Sequence, residues 1–282
     1  MDCRLSEGLF GLAPRVVGLG KTGWQSVGVR SVPSRRQAFA SPEPHSAAGG
    51  TTSGVMVAGI DGCAGGWVVV TVEADGGGSR SIRRVDNLTG VVADLDRGRL
   101  GAVAIVIPIG LPEKGSRRCD LAARKLIGPR RNSVFSAPFR SVLGALTYED
   151  AAIRCRAVSG KSLTLQAFGI LPKIAEVDRL MTPDRQRHLV EVHPEVSFTV
   201  LAGAPMSHNK ASPDGRAERL LALGGAFSDV DLDAQMRVRG TSPDDILDAF
   251  AAAWSARRWL AGRHIQLGGD VDSRGLRMEM IA

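Results

Sequence analysis

Hydrophobic positions fall into short dense blocks from Val55 onward, and most blocks end on glycine or proline. Val55–Ile60 predicts a first strand that closes on Asp61, and Trp67–Val72 predicts a second after the glycine-rich stretch 62–66. The glycine-rich 74–78 is a hairpin-type turn into Arg80–Val85, where apolar and charged residues alternate as on an edge strand. A helix over Leu88–Asp96 follows. Ala102–Ile107 is an uninterrupted apolar run of the kind expected of a strand buried on both faces, and Pro108 and Pro112 stop it. Helices are predicted over 116–127, 148–158, 162–180 with a break at Pro172, 194–201 and 213–223. Between them stand a loop at 130–135 and a short strand at 189–192. Residues 224–240 read as mixed loop and short helix. The longest helix opens at Ser242-Pro243-Asp244-Asp245, a cap with proline in the first turn, and runs to Gly262 with a stripe of Leu247, Phe250, Ala251 and Trp254. The segments 263–267 and 274–281 close the chain.

The first 54 residues break this regularity. They are rich in Ser, Gly, Pro and Arg and carry no sustained period. Their acids are Asp2, Glu7 and Glu43, against Arg4, Arg15, Lys21, Arg30, Arg35 and Arg36. The expectation is a disordered extension, or a start misassigned ahead of Met56; an organelle transit peptide has the same Arg- and Ser-rich, acid-poor character. Residues 55–282 then form the folded domain, with a helical insertion at about 113–186.

The chain has 282 residues and a formal net charge of +7, with 44% hydrophobic and 23% charged residues. That is an ordinary globular composition, and no run approaches the ~18 apolar residues of a membrane span. An aromatic content of 5% argues against extended base-stacking surfaces. The positive charge favours an anionic partner such as nucleic acid or nucleotide, although Arg-rich composition has other origins. Cys3, Cys63, Cys119 and Cys155 show no C-x-x-C spacing, which suits free thiols in a reducing, cytoplasmic setting.

Two groups of residues carry candidate chemistry. Lys114, Arg117, Arg118, Arg124, Lys125, Arg130, Arg131 and Arg140 face only Glu113 and Asp120 between positions 113 and 140. In that stretch Arg130, Arg131 and Asn132 are placed to grip phosphate, or simply form a solvated positive face. The acids are Asp61 at the first strand, Glu191 and Glu195 around His193, and Asp244, Asp245 and Asp248 on the last helix. Capping fully explains Asp244 and Asp245. Asp248 lies one turn inside and shares a face with Asp244, where the two repel unless a cation sits between them.

Three antiparallel strands, a helix, a buried fourth strand and a late acidic helix resemble the ribonuclease H-like fold: a mixed α/β sheet with helices on both faces. A closer resemblance rests on seven ordered strings: Gly59-Ile-Asp-Gly-Cys-Ala-Gly-Gly-Trp67, Ile107-Pro-Ile-Gly-Leu-Pro112, Arg118-Cys-Asp-Leu-Ala-Ala-Arg124, Arg130-Arg-Asn-Ser-Val-Phe135, Lys173-Ile-Ala-Glu-Val-Asp178, Glu191-Val-His-Pro-Glu195 and Asp244-Asp-Ile-Leu-Asp-Ala249. Together they resemble the domain of unknown function 429 family, described as predicted ribonuclease H-like nucleases. The resemblance implies a Mg²⁺- or Mn²⁺-dependent nuclease. Asp61, Glu195, Asp245 and Asp248 would be catalytic; Asp61, Glu191 and Asp245 would be metal ligands; Arg130, Arg131, Asn132 and Lys173 would hold substrate. The family's central strand carries an acid where this chain has Val106, which implies a weakened site. Two alternatives stay open. One is a non-catalytic nucleic-acid- or nucleotide-binding protein on the same fold; the other is a phosphotransferase, although no P-loop string is present.

Overall fold

The computed structural model describes residues 54–76, 78, 80–227 and 237–282. The expectations for the N-terminal extension, for Cys3, for part of the 74–78 turn and for part of 224–240 lie outside the described residues. Seven strands and eight α-helices make up the described fold. In chain order they are β1 (Met56–Cys63), β2 (Gly66–Glu73), β3 (Arg80–Val85), α1 (Thr89–Asp96), β4 (Leu100–Ile105), α2 (Arg118–Ile127), α3 (Tyr148–Ser159), α4 (Leu165–Gly169), α5 (Leu171–Leu180), β5 (Leu189–Glu191), α6 (Pro194–Ala202), α7 (Pro213–Ala226), α8 (Pro243–Leu260), β6 (Gln266–Val271) and β7 (Arg277–Ile281).

The five-stranded sheet has the order β3-β2-β1-β4-β5. β1 pairs antiparallel with β2 and parallel with β4, β2 pairs antiparallel with β3, and β4 pairs parallel with β5. This is the mixed α/β arrangement expected of a ribonuclease H-like fold. β6 and β7 form a hairpin whose Ile281 bridges Val192 just beyond β5. α2 packs on that hairpin through Cys119, Ala123, Ile127, Met278 and Met280.

Both faces of the sheet are covered, which explains the unbroken apolar run of β4. One face carries Val57, Val68 and Ala104 against α6, α7 and α8, through Phe198, Leu223 and Phe250. The other carries Ala58, Ile60 and Ile105 against α1 and α5, through Val91, Val92, Ile174 and Val177. β3 is the edge, and its burial alternates as its sequence does.

Two expectations are revised. β1 does not end at Ile60: Asp61 pairs with Val68, and the strand runs on to Cys63, so the glycine stretch shrinks to a two-residue turn at Ala64-Gly65 with Gly65 at φ +66°. Antiparallel pairing with β2 carries the backbone through the glycines. The segment 128–133 is a 3-10 helix, not a loop; Gly128 (φ +49°) ends α2, and Pro129 stands at the start of the new turn. The break expected at Pro172 within 162–180 is present: there are two helices, and Pro172 opens the second, where its missing N–H costs nothing.

The period-2 alternation of β1 puts Val57, Gly59 and Asp61 on the face toward α8. Gly59 is where strand and helix come closest. A Cβ there would lie 2.1 Å from both the Ala249 carbonyl oxygen and the Ala253 amide nitrogen. The interface therefore requires glycine on the strand and small residues one turn apart on the helix. Neither obstacle is a movable side chain, so Gly59→Ala should destabilise the fold by about 3 kcal/mol or more. A fall in urea midpoint with unchanged slope would register the loss; a variant as stable as the parent would refute the close-packing account.

Candidate functional site

Asp61 lies two residues beyond Gly59 on the same face of β1, so it meets α8 nearer the helix start than Ala249. Asp245 and Asp248 stand there. Asp245 belongs to the cap: its Oδ2 accepts from the Ser242 amide (2.8 Å), and the Ser242 hydroxyl accepts from its own amide (3.2 Å). Asp248 is buried, and its Oδ2 accepts from the Lys210 ammonium at 2.8 Å. Asp61 Oδ1 accepts from the Gly62 amide at 2.8 Å. Burial pushes the Asp61 carboxyl well above the usual carboxylate range; repulsion from Asp248 and Asp245 adds to this, and Lys210 opposes it.

These acids border a cavity of about 720 Å³, which Val106, Arg130, Lys173, Glu191, His193, Glu195 and Lys210 also line. A smaller hollow of about 430 Å³ beside α1 holds Asp96 and Arg185, which pair with each other at 2.9 Å.

Two acids of the cavity are already committed to arginine. Glu191, at the end of β5, takes both terminal nitrogens of Arg117, each at 2.7 Å, and the Ile109 amide at 2.6 Å. Arg117 also binds Asp120 at 2.6 Å and is 1% exposed. Burial works against its charge, and Glu191 and Asp120 more than offset that. Glu195, in the first turn of α6, bonds the buried Arg219 of α7 through Oε1, while its Oε2 is buried without a hydrogen-bond partner. His193 Nε2 lies 3.1 Å from the Ser133 carbonyl, which can only accept, so the proton sits on Nε2. Its Nδ1 lone pair is buried and unpartnered. Burial holds the imidazole below its ordinary pKa, hence neutral.

A family model described as Protein of unknown function (DUF429) matches residues 59–273. The chain belongs to that family. No curated protein and no solved structure matches it.

In this DUF429 protein the sequence-derived candidates Asp61, Glu191, Glu195, Asp245, Asp248, Arg130 and Lys173 all reach one cavity. Arg131 and Asn132 do not; the 3-10 helix turns both to solvent. Lys173 lies against the first hairpin, bonding the Gly66 carbonyl and sitting 4.6 Å above the Trp67 ring. Glu176, three residues on, takes the Trp67 indole N–H (2.9 Å) and the Leu88 amide (2.7 Å), and Asp178 pairs with Arg140 and Arg274. The 173–178 string therefore docks α5 onto the sheet and leaves only Lys173 at the cavity. Lys210 and Arg219 were not singled out by sequence, and Arg117 was read only as one of a basic run. Each looks like a surface cation there, and only its long-range acidic partner reveals its role.

The donor set does not fit two divalent ions. Val106 is apolar, and its amide bonds the Ile60 carbonyl beside Asp61. Glu191 has both oxygens engaged, and among the described residues no three acidic, imidazole or thiol groups converge as a metal cluster. The set does fit one ion. Asp61 and Asp248 form an under-compensated acidic pair, and Glu195 Oε2 is an orphaned acceptor in the same cavity. Mg²⁺ is commonly held by one or two carboxylates plus substrate phosphate.

Two outcomes follow from these contacts. Arg117→Met strands Glu191 and Asp120 in the interior and should cost about 3–5 kcal/mol in chemical denaturation; a cost below about 1 kcal/mol would contradict the pairing. Asp61→Asn keeps the bond to Gly62 but removes a desolvated charge. It should raise stability near neutral pH by about 1 kcal/mol, or about 2–4 °C in Tm. A lower Tm would mean that Asp61 is a structural carboxylate.

Proposed function

We propose that the protein is a phosphodiester hydrolase of ribonuclease H-like type that works with a single Mg²⁺ or Mn²⁺ ion. The observation that carries this is the meeting of Asp61 from β1 and Asp248 from α8 in a cavity whose other walls bear Arg130 and Lys173. Two carboxylates forced together without full compensation favour a cation between them. Basic groups across the same space favour a phosphate.

Asp61 and Asp248 would hold the ion, which supplies Lewis acidity and a more acidic water. Lys173 is held against Trp67 and Gly66, so its charge is fixed where a phosphate oxygen can approach; Arg130 offers a guanidinium to the same cavity. His193, neutral with Nδ1 free, is suited to take a proton from water entering the cavity. Val106 favours a second function, binding of nucleic acid or nucleotide without turnover, because an apolar side chain stands where the family resemblance implies an acid.

One comparison separates the two. Purified protein should cleave a panel of labelled single-stranded and duplex DNA and RNA slowly with Mn²⁺. Val106→Asp should accelerate cleavage by about tenfold or more, since ion affinity depends on ligand charge and number, and Asp61→Asn should abolish it. Salt-sensitive binding with no cleavage by either the parent or Val106→Asp would establish the binding function instead.

A further inference from the structure

Lys210 occupies an unusual position for a lysine drawn from a polar loop. Its Nζ is 2.8 Å from Asp248 Oδ2, its charge also acts on Asp61 and Asp244, and its side chain is 47% exposed against 4% for Asp248. The ammonium thus stands where the acidic pair most needs positive charge, while the methylene stem leads out to water.

The backbone beneath it is fixed. The Ser207 and His208 amides donate to Glu218 at 2.7 and 3.0 Å. The Asn209 carbonyl accepts from the Ser212 hydroxyl at 2.7 Å. A Cβ at position 215 would lie 1.9 Å from that same carbonyl, so the loop seats on α7 only because Gly215 is there. Arg219 ties α7 to Glu195 across the cavity wall. The loop is anchored; the lysine side chain has four rotatable bonds and an open route to solvent.

We propose that Lys210 is a tethered counter-cation that holds the Asp61–Asp248 pair when no metal is bound, and that a divalent ion enters only as the ammonium swings out. This rests on the single-ion function proposed above. Coulomb repulsion keeps a lysine ammonium and a divalent cation from sharing the same carboxylate pair, so the two compete, and the protein's metal affinity is set by the cost of releasing the lysine. The freed ammonium remains on its tether at the cavity mouth, where an arriving phosphate is its natural new partner.

Mn²⁺ titration of the full chain, read by calorimetry and by the electron paramagnetic resonance signal of free Mn²⁺, tests this without reference to activity. Lys210→Met should bind Mn²⁺ on the order of tenfold more tightly than the parent. Adding Asp61→Asn to that variant should remove the gain, and Lys210→Arg should bind no more tightly than the parent. Equal affinity in parent and Lys210→Met would overturn the counter-cation role and leave the single-ion function standing. Failure of the parent, Lys210→Met and Val106→Asp alike to bind Mn²⁺ would overturn both. Should Lys210→Met not fold, the unmodified protein supplies the measurement: Mn²⁺ should raise the rate of reductive methylation at Lys210 severalfold, and an unchanged or lower rate would overturn the proposal.

Discussion

The contact between Gly59 and the Ala249–Ala253 turn of α8 is the constraint from which the rest of the site follows. It brings the backbone of the central strand against the backbone of the longest helix, closer than any side chain would permit. Once that distance is set, the periods of strand and helix leave little freedom. Asp61 must project toward the start of α8, and the residues that meet it are one turn before the contact, Asp245 and Asp248. The acidic cluster is therefore a geometric consequence of tight packing a few ångströms away. Its electrostatic strain is sustained by apolar burial on both faces of the sheet.

Charge balance explains the remaining architecture of the cavity. Glu191, Glu195 and Asp248 are each brought to the cavity with a cation, and each cation comes from a different segment: Arg117 from the start of α2, Arg219 from α7, Lys210 from the loop before α7. An unpaired buried carboxylate would cost several kcal/mol, so these pairs are conditions for folding as well as features of the site. Arg117 and Arg219 are each 1% exposed. They fix their partners permanently, whereas Lys210, reaching solvent, does not. Asp61 has no ion pair of its own to match these, and it feels the repulsion of both Asp248 and Asp245.

Much of this was legible in the sequence. The central strands and the capping box at Ser242 follow from local patterns, because period, proline and capping residues act over a few positions, whereas the convergence of Asp61 with the last helix came from the fold that the ordered motifs resemble. The extension of β1 through Asp61 to Cys63 was not legible, because glycines read as a loop until β2 is known to pair with them. The pairing roles of Arg117, Lys210 and Arg219 were equally hidden: a lysine in Ser-His-Asn-Lys reads as a solvated head group, and its partner lies 38 residues away. The same limit works in reverse for Arg131 and Asn132, which share a motif with Arg130 yet point to solvent, since a 3-10 turn spreads adjacent residues around its axis.

Val106 and Lys210 are two sides of one electrostatic problem. An acid at position 106 would add negative charge beside Asp61, on a strand whose amide already bonds the Ile60 carbonyl, and one lysine could no longer balance the group. With valine there, that added charge is absent, and on the role proposed for Lys210 a single tethered ammonium would balance Asp61 and Asp248 without metal. Valine at this position would therefore do more than withhold a ligand. It would lower the charge that an ion has to neutralise until an internal cation could do the same work, making the metal-free state a competitor to a metal-bound one.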